Sequence, residues 1–162
     1  MHEDERHRIR EAYPWHEHPE GPLFCEVLRD PWRTVGLWLL EPGRIAAFHR
    51  VLDSAEVWLA HRGRVWIHLL EPGTGLRTLR LGPGEREDEQ PVVEVPRGVW
   101  QATELAPGEA FAYGANVCAP PFRYEGWELA DPDALAAEVP GHRALVERLC
   151  ARRHAGPGPR VD

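Results

Sequence analysis

Nine short apolar runs fill the chain between residues 23 and 117, and none is longer than eight residues. They cover 23–28, 34–40, 45–51, 55–61, 64–70, 76–81, 91–95, 99–105 and 110–117. Glu41-Pro42-Gly43, Glu71-Pro72-Gly73, Gly82-Pro83-Gly84 and Ala106-Pro107-Gly108 stand among the breaks. Proline followed by glycine suits the centre of a type II turn, because proline fixes φ and glycine accepts a positive φ. Many short strands with regular turn signals predict an all-β sandwich or barrel. Trp38-Leu39-Leu40 and Ile67-His68-Leu69-Leu70 are apolar on both faces. Such strands are expected to face the interior on one side and a partner sheet or subunit on the other. Together with Trp66, Trp38 therefore predicts a homodimer.

The flanks differ from this pattern. Residues 1–13 are charged and helix-compatible, an N-terminal extension to a barrel over 14–130. Asp131-Pro132-Asp133 opens a helix, with Asp131 as N-cap and proline in the first turn. Pro140-Gly141 interrupts it, and a stripe of Ala144, Leu145 and Leu149 resumes it, so 131–154 reads as a helical cap. Residues 155–162 read as a flexible tail.

Composition removes several chemistries. The chain has 162 residues and no lysine; all 19 basic side chains are arginine. Schiff-base catalysis and a phosphate-loop lysine are therefore excluded. Ser54 is the only serine and lies in no nucleophile elbow. A net charge of −7 argues against a nucleic-acid partner. No apolar run is long enough to span a membrane, and the charged start is not a secretory signal. Cys25, Cys118 and Cys150 are odd in number and widely spaced, as expected of free thiols in a reducing cytoplasm.

The chemistry concentrates between Gly43 and Gly63. Gly43, five residues, His49, then Glu56, six residues and Gly63 follow the first motif of the cupin superfamily, which this stretch resembles. That motif has a second histidine where Val51 stands. The second cupin motif, Pro-x-Gly-x-x-His, is matched by Pro96-Arg97-Gly98-Val99-Trp100-Gln101, with glutamine in place of histidine. His18-Pro19-Glu20-Gly21, Glu56-x-Trp58, His68-Leu69-Leu70-x-Pro72 and Trp127-Glu128-Leu129 extend the likeness over about 14–150. Together they resemble the cupin branch with an HPEGG-type signature, a domain of unknown function. Leu59 and His61 depart from its usual His-Phe-Tyr stretch, and Pro22 replaces a glycine. The resemblance implies a double-stranded β-helix, the jelly-roll barrel, with short C-terminal helices.

Strand parity points to the same place. Residues two apart share a face, so His49, Glu56 with Trp58, and Gln101 can converge on one apolar interior. A carboxylate and an imidazole there need each other, a metal or a ligand. As a metal set, His49, Glu56 and Gln101 offer two strong ligands and a weak amide, so no metal, or a loosely held divalent one, is expected. As acid/base groups, His49 and Glu56 would move a proton beside a carbonyl. The bland alternative is a buried pair that only orders the barrel. Gln101 and Trp58 are the expected clamp and wall of a small-molecule pocket, and His68 and Tyr113 further lining candidates. His68 has two readings, pocket or opposite layer. His18 is assigned to a turn and bonded locally, and Asn116 to a strand-end cap. The expected function is an isomerase, epimerase or lyase on a polar carbonyl or sugar-like molecule. A non-enzymatic binding module and a metal-dependent dioxygenase are the alternatives.

Overall fold

A computed structural model describes residues 1–71 and 73–150. Helix α1 (His2–Ala12) opens the chain. Among the described residues eleven strands follow: β1 (His16–Glu17), β2 (Leu23–Arg29), β3 (Thr34–Leu40), β4 (Ile45–Val51), β5 (Ala55–Arg62), β6 (Val65–Glu71), β7 (Gly75–Leu81), β8 (Val92–Val95), β9 (Trp100–Leu105), β10 (Ala112–Ala119) and β11 (Trp127–Leu129). Helices α2 (Pro132–Glu138) and α3 (Arg143–Leu149) come last. The nine predicted strands are β2 to β10, with ends displaced by a few residues. β1 and β11 have two and three residues, too short to carry a readable alternation. The expected tail at 155–162 and the end of the expected cap lie outside the described residues.

The strands form two antiparallel sheets packed face to face. One runs β1-β2-β3-β10-β5-β8 and the other β11-β4-β9-β6-β7. This is the jelly-roll arrangement of an all-β fold. Between the sheets lies a core of Trp38, Leu40, Trp58, Val65, Ile67, Leu69 and Leu81, all nearly or fully buried.

The two-faced strands find their second cover within the same chain. Phe48, Leu70, Trp100 and Ala102 face outward from the five-stranded sheet and pack with Leu135, Ala136, Val146 and Leu149 of α2 and α3. Leu39 turns outward with Leu23 and Phe111, and Ile9 of α1 and Trp15 pack over them. Trp38 points into the core, 1% exposed, and offers nothing to a partner. The partner layer expected over these residues is therefore replaced by the chain's own helices. Asp131 starts α2 as predicted: its Oδ1 accepts from the backbone N–H of Asp133 and Ala134 at 3.1 and 3.0 Å. The three cysteines are free and buried. No helix among the described residues is long and apolar enough to cross a membrane.

A helical pair that completes a core should behave as core. Leu70→Ala and Leu149→Ala should each cost about 2–5 kcal/mol, because each leaves a cavity in the same cluster. Urea unfolding checks this. A loosely docked pair would instead show Leu149→Ala within about 0.5 kcal/mol of the parent.

Candidate functional site

A cavity opens between the sheets on the side of β2, β3, β4 and β10. Its walls include His18, Glu20, Phe24, His49, Val51, Glu56, Asn116 and Trp127. The open volume is about 30 Å³. That is room for one or two waters, or for the reacting end of a small molecule. Phe24 lies across the floor because Gly36 has no side chain; a Cβ at Gly36 would meet the Phe24 ring at 2.2 Å.

His18 and Glu20 enter on a turn. Gly21 N–H donates to the His18 carbonyl at 2.8 Å, and Ala47 N–H on β4 donates to the Glu20 carbonyl at 2.8 Å. Gly21 has φ +125°, and a Cβ there would lie 2.2 Å from the Ile45 carbonyl oxygen. Only glycine lets this turn dock on β4, and docking carries both side chains inward.

His49 Nδ1 lies 2.7 Å from the Ala47 carbonyl. A carbonyl only accepts, so Nδ1 carries a proton and Nε2 is the atom facing Glu20, 3.1 Å from its Oε2. The same oxygen accepts from Trp127 Nε1 at 3.2 Å and lies 3.4 Å from His18 Nδ1, within ion-pair range but without hydrogen-bond geometry. The His18 ring stacks on Tyr124 with centroids 5.9 Å apart. Glu56 enters from β5. Gln101 Nε2 donates to its Oε2 at 2.6 Å, and Asn116 Nδ2 donates to its Oε1 at 2.5 Å.

Two carboxyl groups on one cavity are thus driven apart. Burial alone would raise the Glu20 pKa, but the charges of His49 and His18 and the Trp127 hydrogen bond outweigh it, and the pKa falls to about 2. Burial, assisted by the Glu20 charge, pushes Glu56 above the usual carboxylate range, against His49 and the two amides. His18 is raised: burial opposes its charge, but Glu20 and, more weakly, Glu56 prevail. Burial and the charge of Glu56 push the Cys118 thiol up, so it stays neutral. The two carboxyl groups thus differ in proton affinity because their surroundings differ.

Residues 8–130 match the family described as Cupin superfamily (DUF985). The chain belongs to that family. No match is found among curated proteins. This cupin is similar in structure to a Shewanella oneidensis protein, with TM-score 0.82 and 25% identity over 90% of this chain and 97% of the other. It is likewise similar to a hypothetical protein from Leishmania major, with TM-score 0.81 and 20% identity over 91% and 98%. Pac13 of Streptomyces, described as a nucleoside dehydratase, shares the fold at TM-score 0.55 and 13% identity over 73% and 84%.

The cupin brings together part of the predicted set. His49 and Glu56 both line the cavity. Trp58 and Gln101 stand behind it: Trp58 Nε1 donates to Gln101 Oε1 at 3.0 Å, and Gln101 spends its other end on Glu56. Wall and clamp are therefore supports of Glu56 rather than ligand contacts. His68 faces the opposite layer, where its ring bonds Thr78 and Glu104 at 2.9 and 2.8 Å. Leu69, opposite Gln101, takes the inward position beside it. Tyr113 is also on the outer face, against Trp15 and His61.

Three cavity residues come from positions assigned otherwise. Asn116 sits mid-strand opposite Trp58, so it shares the inward face and caps nothing. His18 does belong to a turn, but the turn aims its ring into the site. Glu20 was visible only as part of the motif. Asn116 could have been found from parity, since Tyr113 and Asn116 cannot share a face.

The His49, Glu56 and Gln101 set does not suit a metal as it stands. Gln101 turns its N–H₂ toward Glu56, and its oxygen is taken by Trp58. Both Glu56 oxygens accept from amides, and Val51 fills the second histidine position with a hydrocarbon. Among the described residues no group of three His, Cys, Asp or Glu gathers at ligand distances.

The lowered Glu20 sets a pH dependence. Its folded pKa of about 2 lies below the ordinary 4.5, so its contribution is fully present above 4.5 and lost as pH falls toward 2. Glu20→Gln should flatten the fall in melting temperature across that interval. Equal slopes for parent and variant would show that Glu20 is not held ionised by its histidines.

Proposed function

We propose that this cupin moves protons on a small polar molecule, as a lyase or isomerase. Glu56 and the Glu20–His49 pair would be its acid/base groups. The observation that carries the reading is the pair of carboxyl groups on one cavity with opposite shifts, Glu20 down and Glu56 up. A lyase or isomerase needs one group to take a proton from carbon and another to deliver one. Glu20 stays a carboxylate 3.1 Å from His49 Nε2, and Nε2 is the atom of the pair that takes and returns the proton. Glu56, with its raised proton affinity, is suited to the complementary transfer. The fixed Nδ1–H of His49 keeps its ring oriented throughout. The dehydratase activity named for Pac13 comes with a shared fold at 13% identity, so it supports only the capacity of this architecture for lyase chemistry. Three buried free thiols favour the cytoplasm as its setting.

A binding module without turnover is the second reading, favoured by an interior of only about 30 Å³. Deuterium incorporation from heavy water into a panel of small aldehydes, ketones and polyols, followed by NMR, separates the two. Exchange is expected with at least one compound that binds, and Glu56→Gln should slow it by about 10²–10⁴-fold with the fold intact. Binding without exchange, or exchange unaffected in Glu56→Gln, would overturn the catalytic reading.

A homodimer belongs to the same proposal. By register, Val35, Val57, Leu59, Val92 and Val117 share the outer face of the six-stranded sheet, and none is fully buried. Sedimentation at micromolar concentration should give twice the chain mass, and Val57→Glu should give one. A monomeric parent would refute the interface.

A further inference from the structure

We propose that the cavity selects molecules that bring O–H or N–H donors and carry no negative charge, and rejects carboxylates and phosphate esters. The inference rests on the small-molecule reading of the same site and adds the class of ligand.

The first observation is the absence of a free cation. The chain contains no lysine, and among the described residues no arginine lines the cavity. The nearby Arg29 is committed: its Nε and Nη2 bind the two oxygens of Glu26 at 2.8 and 3.0 Å, and Nη2 also donates to the Phe122 carbonyl. The two cavity imidazoles both face one oxygen of Glu20, at 3.1 and 3.4 Å. Glu56 is met by amides, which share no positive charge with a second anion. An anionic ligand would therefore stand beside the buried Glu20 carboxylate and compete with it for the same two imidazoles.

The second observation is an acceptor without a donor; the cavity's other side-chain atom without a hydrogen bond, His18 Nδ1, already lies 3.4 Å from the Glu20 carboxylate. Asn116 is 7% exposed, lines the cavity, and its Oδ1 has no hydrogen-bond partner among the described residues. Its amide orientation is set by Nδ2, which donates to Glu56. The open end is thus an oxygen. A ligand hydroxyl or amine satisfies it, whereas a carboxylate or phosphate would oppose acceptor to acceptor. Phe24, Phe122 and Trp127 complete the walls with apolar surface suited to C–H groups. The chemistry is that of an alcohol, polyol or amino alcohol.

Ethylene glycol, ethanolamine and glycolate are matched small probes, each of which can put one polar end into the space. Titrated into the full ¹⁵N-labelled chain, the glycol or the amine should shift amides of cavity residues with an affinity at least about tenfold above glycolate. A stronger response to ethanolamine than to glycol identifies an amine ligand, and the reverse identifies a hydroxyl ligand. Asn116→Leu should lose the preference, with a thermal melt reporting its fold. Should that variant not fold, Asn116→Asp serves instead and should favour ethanolamine over glycol by adding a negative charge. Glycolate binding as tightly as the others, or no response to any probe at high millimolar concentration, would overturn the inference. A donor preference without deuterium exchange would keep it and end the catalytic reading. Exchange together with a glycolate preference would do the reverse.

Discussion

Glu56 is a buried carboxyl group on the cavity between two sheets, and its hydrogen bond to Gln101 ties those sheets to each other. Gln101 reaches it from β9 in the five-stranded sheet, and Asn116 from β10 in the six-stranded one. Trp58, two residues beyond Glu56 on β5, crosses back to hold the Gln101 oxygen. The indole N–H can only donate, so Gln101 must present its oxygen to Trp58 and its N–H₂ to Glu56. Each member thus fixes the orientation of the next. Removing one partner of a buried polar group typically costs about 1–3 kcal/mol, and more when the group left behind is charged. The chain of bonds therefore holds the spacing of the sheets at the place where the cavity needs it.

The other half of the site depends on backbone docking. Glu20 reaches His49 because the turn at residues 18–21 is bonded to β4 through Ala47. His49 in turn is oriented by the carbonyl of the same Ala47. One residue of β4 thus positions both members of the pair, with its N–H on the turn and its carbonyl on the ring. The two halves meet across the cavity. The electrostatic contrast between Glu20 and Glu56 follows from this arrangement: one carboxyl group receives two imidazoles, the other two neutral amides.

This also explains what could be read from the chain. The strands were legible because Pro-Gly turns punctuate them and strand periodicity is local. His49 and Glu56 were legible because their spacing places them on consecutive strands, which fall in the two facing sheets. Trp58 was read in the right register but assigned the wrong neighbour, because parity tells which face a side chain takes and not what reaches it from the opposite sheet. Tyr113 was chosen for its aromatic ring although it lies on the outward parity, and Asn116, three residues on, holds the inward place. His18 and Glu20 were hidden for a different reason. A His-Pro-Glu-Gly turn is a turn in any setting, and only its docking on a strand more than twenty residues away decides where its side chains point. The cover over the outer faces was likewise a question of which distant segment arrives first, and the chain's own helices answer it.

The two positions where histidines of the cupin motifs are replaced have a joint chemical consequence. An imidazole at the place of Gln101 would offer a lone pair, and one at the place of Val51 a second. Glu56 would then belong to a set of donors able to share a cation. Here Val51 offers hydrocarbon, and Gln101 offers a hydrogen-bond donor locked in place by Trp58. A cation beside Glu56 would hold it ionised, whereas burial, assisted by the Glu20 charge, pushes its proton affinity up against the two amide hydrogen bonds. With valine and glutamine at the two histidine positions, Glu56 is left with two amide hydrogen bonds and no second ligand to share a cation.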